Sequence, residues 1–165
     1  MRDKHFWDIF YMSMAERVAD LSRDHKTKVG CVIAKDDNVI SYSYNGTPRG
    51  TDNTMRDVAG KTLNVVLHAE TNAIGKVAKS HVSTRDATLY STLSPCINCA
   101  KMIYQAGITD VVYRDLHDPE VLDRLIEWGI SVRRVNGRDT RYIDPSTDML
   151  RAIDNLSAKQ GESFG

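Results

Sequence analysis

His68-Ala69-Glu70 and Ser94-Pro95-Cys96-Ile97-Asn98-Cys99 decide how this chain reads, with 27 residues between His68 and Cys96. Together they supply one imidazole, one carboxylate and two thiols. Each opens a segment of helical character: Ala73, Ile74 and Val77 follow the first at helical spacing, and a proline stands before Cys96, where a helix opening tolerates it. Two cysteines three apart on an opening turn can direct both sulfurs at one point, and a histidine from a second helix completes a three-ligand zinc site. The fourth position stays open. Water on such an ion drops from a pKa of about 15.7 toward about 7, so hydroxide becomes available at neutral pH. Glu70, two residues beyond the histidine, can take that proton and pass it to a substrate. The chemistry this predicts is hydrolytic. Two plainer readings compete. A thioredoxin-like redox pair lacks its surrounding pattern here, and a closed structural zinc needs a fourth ligand, whereas Cys31 lies in an apolar strand and reads as a small core residue.

Outward from this centre the chain alternates. Residues 3 to 22 carry Trp7, Phe10, Met14, Val18 and Leu21 at spacings of three and four, predicting an amphipathic helix capped by Asp3 that covers a sheet face. Ser22 to Lys28 reads as a polar loop, either a solvated connection or a place where Arg23, Lys26 or Lys28 meets a phosphate. Val29–Ala34 and Val39–Tyr44 flank Lys35-Asp36-Asp37-Asn38 and predict an antiparallel hairpin. Tyr44-Asn45-Gly46-Thr47-Pro48-Arg49-Gly50 then opens a loop running to about Asn64, long enough to suggest function. A helix from about His68 to Lys79, a strand Ala87–Thr92, a helix Cys96–Gln105, a strand Asp110–Tyr113, a helix Pro119–Trp128 and a strand Ile130–Val135 complete the order. That alternation predicts a three-layer α/β/α domain with a central five-stranded mixed sheet. Beyond it come a turn at Asn136-Gly137-Arg138-Asp139 and a polar helix from about Pro145 to Ala158, with Met149, Leu150, Ile153 and Leu156 on one side. One domain over residues 1–159 and a disordered tail at 160–165 are expected.

Composition narrows the partners. The chain has 165 residues, with 22 basic and 22 acidic side chains cancelling to a formal net charge of zero. A protein that grips a long nucleic acid is usually more basic, so a single nucleotide suits this balance better. The three cysteines, two of them committed to metal, fit a reducing compartment. The mixed, charged N-terminus and the lack of a long apolar run fit a cytoplasmic protein with no membrane span. His5, His25, His81 and His117 read as surface or capping residues.

The combination of H-x-E with P-C-x-x-C matches the pattern of zinc nucleobase deaminases. The chain resembles the cytidine/deoxycytidylate deaminase superfamily, and within it the deoxycytidylate deaminases, across roughly residues 5 to 135. Residues 43–50, Ser-Tyr-Asn-Gly-Thr-Pro-Arg-Gly, resemble that group's Gly-Tyr-Asn-Gly-x-Pro-x-Gly loop, and Val29-Gly30-Cys31-Val32-Ile33 its V-G-A-V-I-V strand. The resemblance implies one Zn2+ held by His68, Cys96 and Cys99, with Glu70 shuttling the proton as dCMP becomes dUMP. It implies substrate contacts at Asn45 and at the backbone around Ala69 and Ser94. It also implies an allosteric loop at Asn45, Gly46, Pro48, Arg49 and Gly50, answering to dCTP and dTTP with Mg2+ on the triphosphate, in a homohexamer. Tyr113 stands where relatives often place an aromatic near the substrate. Arg114 and Lys26 are candidates for the phosphate, with a surface arginine the alternative for Arg114. Ser43 departs from the usual glycine, and Thr51 replaces a cysteine that in some members helps hold a second zinc, so a single zinc is expected. The rival readings are a deaminase of free cytidine, cytosine or a tRNA adenosine, a silent regulatory binder of dCTP or dTTP, and a structural zinc module.

Overall fold

In the computed structural model, residues 1–136 are described. The polar helix expected from about Pro145 to Ala158, the expected turn at 136–139 beyond its first residue and the tail expected at 160–165 lie outside them. The first helix, α1 (Lys4–Ala19), begins where expected, with the Asp3 carboxylate accepting from the Phe6 N–H at 2.8 Å. Its buried face differs from the predicted stripe. Ile9, Met12, Ala15 and Ala19 are buried, together with Asp8, whereas Phe10 and Leu21 are exposed. Apolar residues occur most of the way round this helix, so spacing alone does not select a face. Close approach to the sheet selects it: a Cβ at Gly30 would overlap the Ala15 carbonyl oxygen and the Ala19 nitrogen, so this glycine lets α1 lie directly on the strand.

That strand, β1 (Gly30–Lys35), turns back into β2 (Asn38–Tyr44) through Asp36 and Asp37, whose φ values are +50° and +60°. Two consecutive left-handed residues suit the right-handed twist of a two-residue hairpin. The helix α2 (Ala69–Val77) precedes β3 (Thr88–Leu93), then come α3 (Ile97–Gln105), β4 (Asp110–Asp115), α4 (Pro119–Glu127) and β5 (Ser131–Arg134). The strand order is β2-β1-β3-β4-β5; β1 runs antiparallel to both neighbours, and β3, β4 and β5 are mutually parallel.

The period-two alternation of the strands divides the interior into two layers. Cys31, Ile33, Leu89 and Val111 face α2, α3 and α4, where they meet Ala69, Ala73, Ala100, Ile103 and Leu125. Val32, Ala34, Tyr90 and Val112 face α1. This is the three-layer α/β/α arrangement and five-stranded mixed sheet that the sequence predicts. On the α1 side Asp8 is buried because Arg133 donates to both its oxygens, at 2.8 and 3.1 Å, and the Tyr90 hydroxyl donates to it as well. Among the described residues no helix is long and apolar enough to cross a membrane.

Candidate active site

Both helices that carry the singled-out motifs begin at a candidate ligand residue. His68 is the N-cap of α2 and Cys96 the N-cap of α3, each with extended backbone and neither using its side chain to cap its own helix. The side chains are therefore free for other work, and the unpaired N–H groups of two first turns converge on the same place. Two positive helix ends favour anions there, thiolates among them.

His68 Nδ1 lies 3.4 Å from Cys96 Sγ and 3.4 Å from Cys99 Sγ, and the three donor atoms all fall within 4.8 Å of one another. Tetrahedral zinc, with bonds of about 2.0–2.1 Å to nitrogen and about 2.3 Å to sulfur, separates such donors by about 3.5 Å. The residues present fit that ion. Hydrogen bonds from the Cys99 thiol and from His68 pull the Cys96 thiol down to about 3, so this sulfur is a thiolate at neutral pH. Donation to Cys96, with burial beside Glu70, pushes Cys99 well above the ordinary thiol range. A zinc ion held here would displace the Cys99 proton.

Glu70 sits on the first turn of α2, 4% exposed. Burial raises its carboxyl above the ordinary range. Its Oε2 lies 3.6 Å from Cys99 Sγ, and its Oε1 accepts from the Ser91 hydroxyl at 3.3 Å. A buried carboxyl beside a metal-type donor set, with its pKa raised, suits general acid–base work.

A cavity of about 280 Å³ opens onto this group, walled by His68, Ala69, Glu70, Cys96, Ser94 and Asn45 together with Asp24, Thr27, Arg56, Thr62 and His117. Asn45, Ala69 and Ser94 are thus brought to the same cavity as His68, Glu70 and Cys96. The Asn45 side chain is also a structural tie: its Oδ1 accepts from Val29 N–H and its Nδ2 donates to Thr27 C=O, each at 2.8 Å. Tyr113, Arg114 and Lys26 are not on this wall. Tyr113 packs against the apolar layer beneath α2 and α3. Strand alternation turns Arg114 to the other face of the sheet, where it pairs with Glu16 of α1 at 3.1 Å and with Asp115 at 2.8 Å. Lys26 reaches the Gly60 carbonyl at 3.4 Å and borders a neighbouring surface depression with Arg23 and His25.

Of the stretch singled out as an allosteric loop, Gly46, Pro48, Arg49 and Gly50 lie on a separate depression of about 460 Å³ with Arg23, Tyr44 and Lys76, whereas Asn45 lines the cavity at the donor set. Gly46 is tied to Leu67 by a pair of backbone bonds at 3.1 and 2.8 Å, and Gly50 takes a φ of +84°. The long loop extends past Asn64 to that tie, and Met55 and Val66 within it are buried.

Two cavity residues escaped sequence reasoning as a pair. Asp24, in the supposed solvated loop, is 1% exposed and receives both arms of Arg56, at 2.9 and 2.8 Å, while Arg56 also donates to Gly60 C=O at 2.9 Å. Two opposite charges 32 positions apart carry no local signal that they will meet. His117, read as a turn residue, stands on the cavity wall because its N–H donates to Ser94 Oγ at 2.7 Å.

Known proteins resemble the chain in the same terms. Residues 5–115 match the family model described as the cytidine and deoxycytidylate deaminase zinc-binding region. The deoxycytidylate deaminase of Saccharomyces cerevisiae is 37% identical over 139 residues, 78% of this chain and 44% of the relative; that of Mus musculus is 33% identical over 124 residues, 69% of this chain and 68% of the relative. With the two fungal relatives the match spans only 44% and 46% of their length. Among solved structures, the dCMP deaminase of the cyanophage S-TIM5 in complex with dCMP and dUMP superposes with a TM-score of 0.77 at 35% identity, over 82% of this chain and all of that one. With the family model matched over residues 5–115 and the fold shared with a solved dCMP deaminase, the chain belongs to the cytidine and deoxycytidylate deaminase family.

Proposed function

We propose that the protein hydrolyses the exocyclic amine of dCMP, giving dUMP and ammonia, and so feeds dTMP synthesis. The observation that carries this reading is Glu70, buried beside the His68, Cys96 and Cys99 donor atoms and lining the cavity that opens onto them. His68, Cys96 and Cys99 hold Zn2+, which when bound supplies hydroxide at neutral pH. Glu70 takes one proton from the attacking water and delivers it to N3 of the cytosine, then moves the second from the added hydroxyl to the departing amine, so water in and ammonia out balance. Ala69 and Ser94 border the base, and Asn45, with one amide hydrogen still uncommitted, faces the nucleotide. The substrate class follows from the S-TIM5 enzyme, whose whole chain this one covers.

The same reading extends to regulation. Activation by dCTP and inhibition by dTTP, with Mg2+ on the triphosphate, belong to the depression around Gly46, Pro48, Arg49 and Gly50; Arg23, Arg49 and Lys76 give it the charge such an effector requires. A single domain over residues 1–159, one zinc per chain, a cytoplasmic setting and a homohexamer complete the proposal. The test is ammonia release by zinc-loaded protein from dCMP, deoxycytidine and CMP, each with and without dCTP and Mg2+. Turnover of dCMP that rises with dCTP is expected. Equal turnover of deoxycytidine would make it a nucleoside deaminase, and no turnover by zinc-loaded protein would leave a nucleotide binder.

A further inference from the structure

β3 presents Leu89, Ser91 and Leu93 to the helices α2 and α3. Two of these are what a buried face calls for. Ser91 is the exception: it has no exposed surface, lies between Cys31 of β1 and Tyr113 of β4 in the middle of the sheet, and shares a layer with Ile33, Leu89 and Val111. A hydroxyl placed there loses its water and gains nothing unless it finds a protein partner. The partner it finds is Glu70, whose Oε1 accepts its hydrogen at 3.3 Å.

We infer that Ser91 is a positioning residue for the proton shuttle, an inference that rests on Glu70 having that role. The end of a glutamate side chain turns in a broad, nearly two-fold well, so burial alone does not say which oxygen faces the reacting atoms. A bond from the sheet floor removes that freedom. With Oε1 tethered below, Oε2 is the oxygen left on the donor side, 3.6 Å from Cys99 Sγ. The tether comes from a central strand paired on both edges, a support that holds a functional group more closely than a loop does. Ser43 supplies an internal control. It sits in the same cross-sheet row, opposite Cys31 on β2, equally buried, and its hydroxyl has no partner among the described residues. Two serines of one row therefore differ in whether they reach Glu70.

The experiment compares kcat and KM for dCMP, with zinc content, in the wild-type chain, Ser91→Ala and Ser43→Ala. Ser91→Ala should lower kcat about tenfold, equal to about 1.36 kcal/mol of barrier, with KM and zinc content unchanged. Ser43→Ala should leave all three where they are. Wild-type kcat in Ser91→Ala overturns the inference. So does a fall that Ser43→Ala shares, or one accompanied by loss of zinc, since either marks a disturbed sheet. A wild-type protein that releases no ammonia from dCMP overturns the proposed function and this inference with it, whereas an active wild type beside an equally active Ser91→Ala overturns the inference alone.

Discussion

Arg56→Ala should cost the protein about 3 kcal/mol of stability, the lower end of what breaking a buried ion pair takes. The magnitude follows from what remains behind. Asp24, 1% exposed, loses two charge-assisted bonds of 2.9 and 2.8 Å and keeps only the Lys26 and Thr27 N–H groups, at 2.8 and 3.1 Å. The lower end applies because the Arg56 side chain is 12% exposed on an open cavity, so water can reach part of the orphaned carboxylate. Such a loss is a large share of the roughly 5–15 kcal/mol that a domain has in hand. The pH dependence adds a second signature. Burial alone would raise the Asp24 carboxyl, but the Arg56 guanidinium and the two backbone N–H groups outweigh it and hold the group below its ordinary range. A depressed folded pKa gives stability that is present above the unfolded value of about 3.9 and lost as pH falls through the folded one. Without Arg56 the buried carboxyl rises instead, and protonation relieves the variant. The gap between wild type and variant should therefore narrow as pH falls from 7 toward 4. Urea unfolding followed by far-ultraviolet dichroism measures both, and pairing Arg56→Met with Asp24→Asn should recover most of the loss. A cost below about 1 kcal/mol at pH 7, in the range of exposed pairs, would refute the claim that this pair is a buried tie between two loops.

Glu70→Gln should lower kcat for dCMP by about 10²–10⁴-fold while the protein still binds zinc, because it removes a proton carrier and no ligand; zinc content by atomic absorption beside an ammonia assay checks it. Stripping the metal with a chelator should abolish turnover and added zinc should restore it, and reloading in weak buffer at pH 7 should acidify the solution as the Cys99 proton leaves. Retained activity in fully metal-free protein would contradict the donor-set reading. Ser43→Ala should be neutral or raise stability by up to about 1 kcal/mol, since its buried hydroxyl is unpaired among the described residues. A clear destabilisation in the same urea assay would mean that the hydroxyl has a partner.

Several features needed only the order of residues. The hairpin at Lys35–Asn38, the alternation of strands and helices, and the candidate donor set His68, Cys96 and Cys99 beside Glu70 all rest on spacing within a few positions, where backbone geometry translates sequence into direction. Two ligands three apart on a helix start cannot point far from each other, and the convergence of two such starts is what the H-x-E and C-x-x-C pieces encode. Other features depend on which surfaces meet. The buried face of α1 was decided by Gly30 admitting Ala15 and Ala19, with Asp8 drawn inside by Arg133, although its sequence pattern favoured Phe10 and Leu21. Strand parity set Tyr113 against the core and sent Arg114 to Glu16 on the opposite side of the sheet, and no local pattern distinguishes those destinations from a place in the cavity. The union of Asp24 with Arg56, the turn of His117 onto the cavity wall and the reach of Ser91 to Glu70 likewise exist only in three dimensions. Each joins residues 21 or more positions apart, and at that separation a contact is chosen by packing, desolvation and the pairing of buried polar groups, none of which a window of sequence contains.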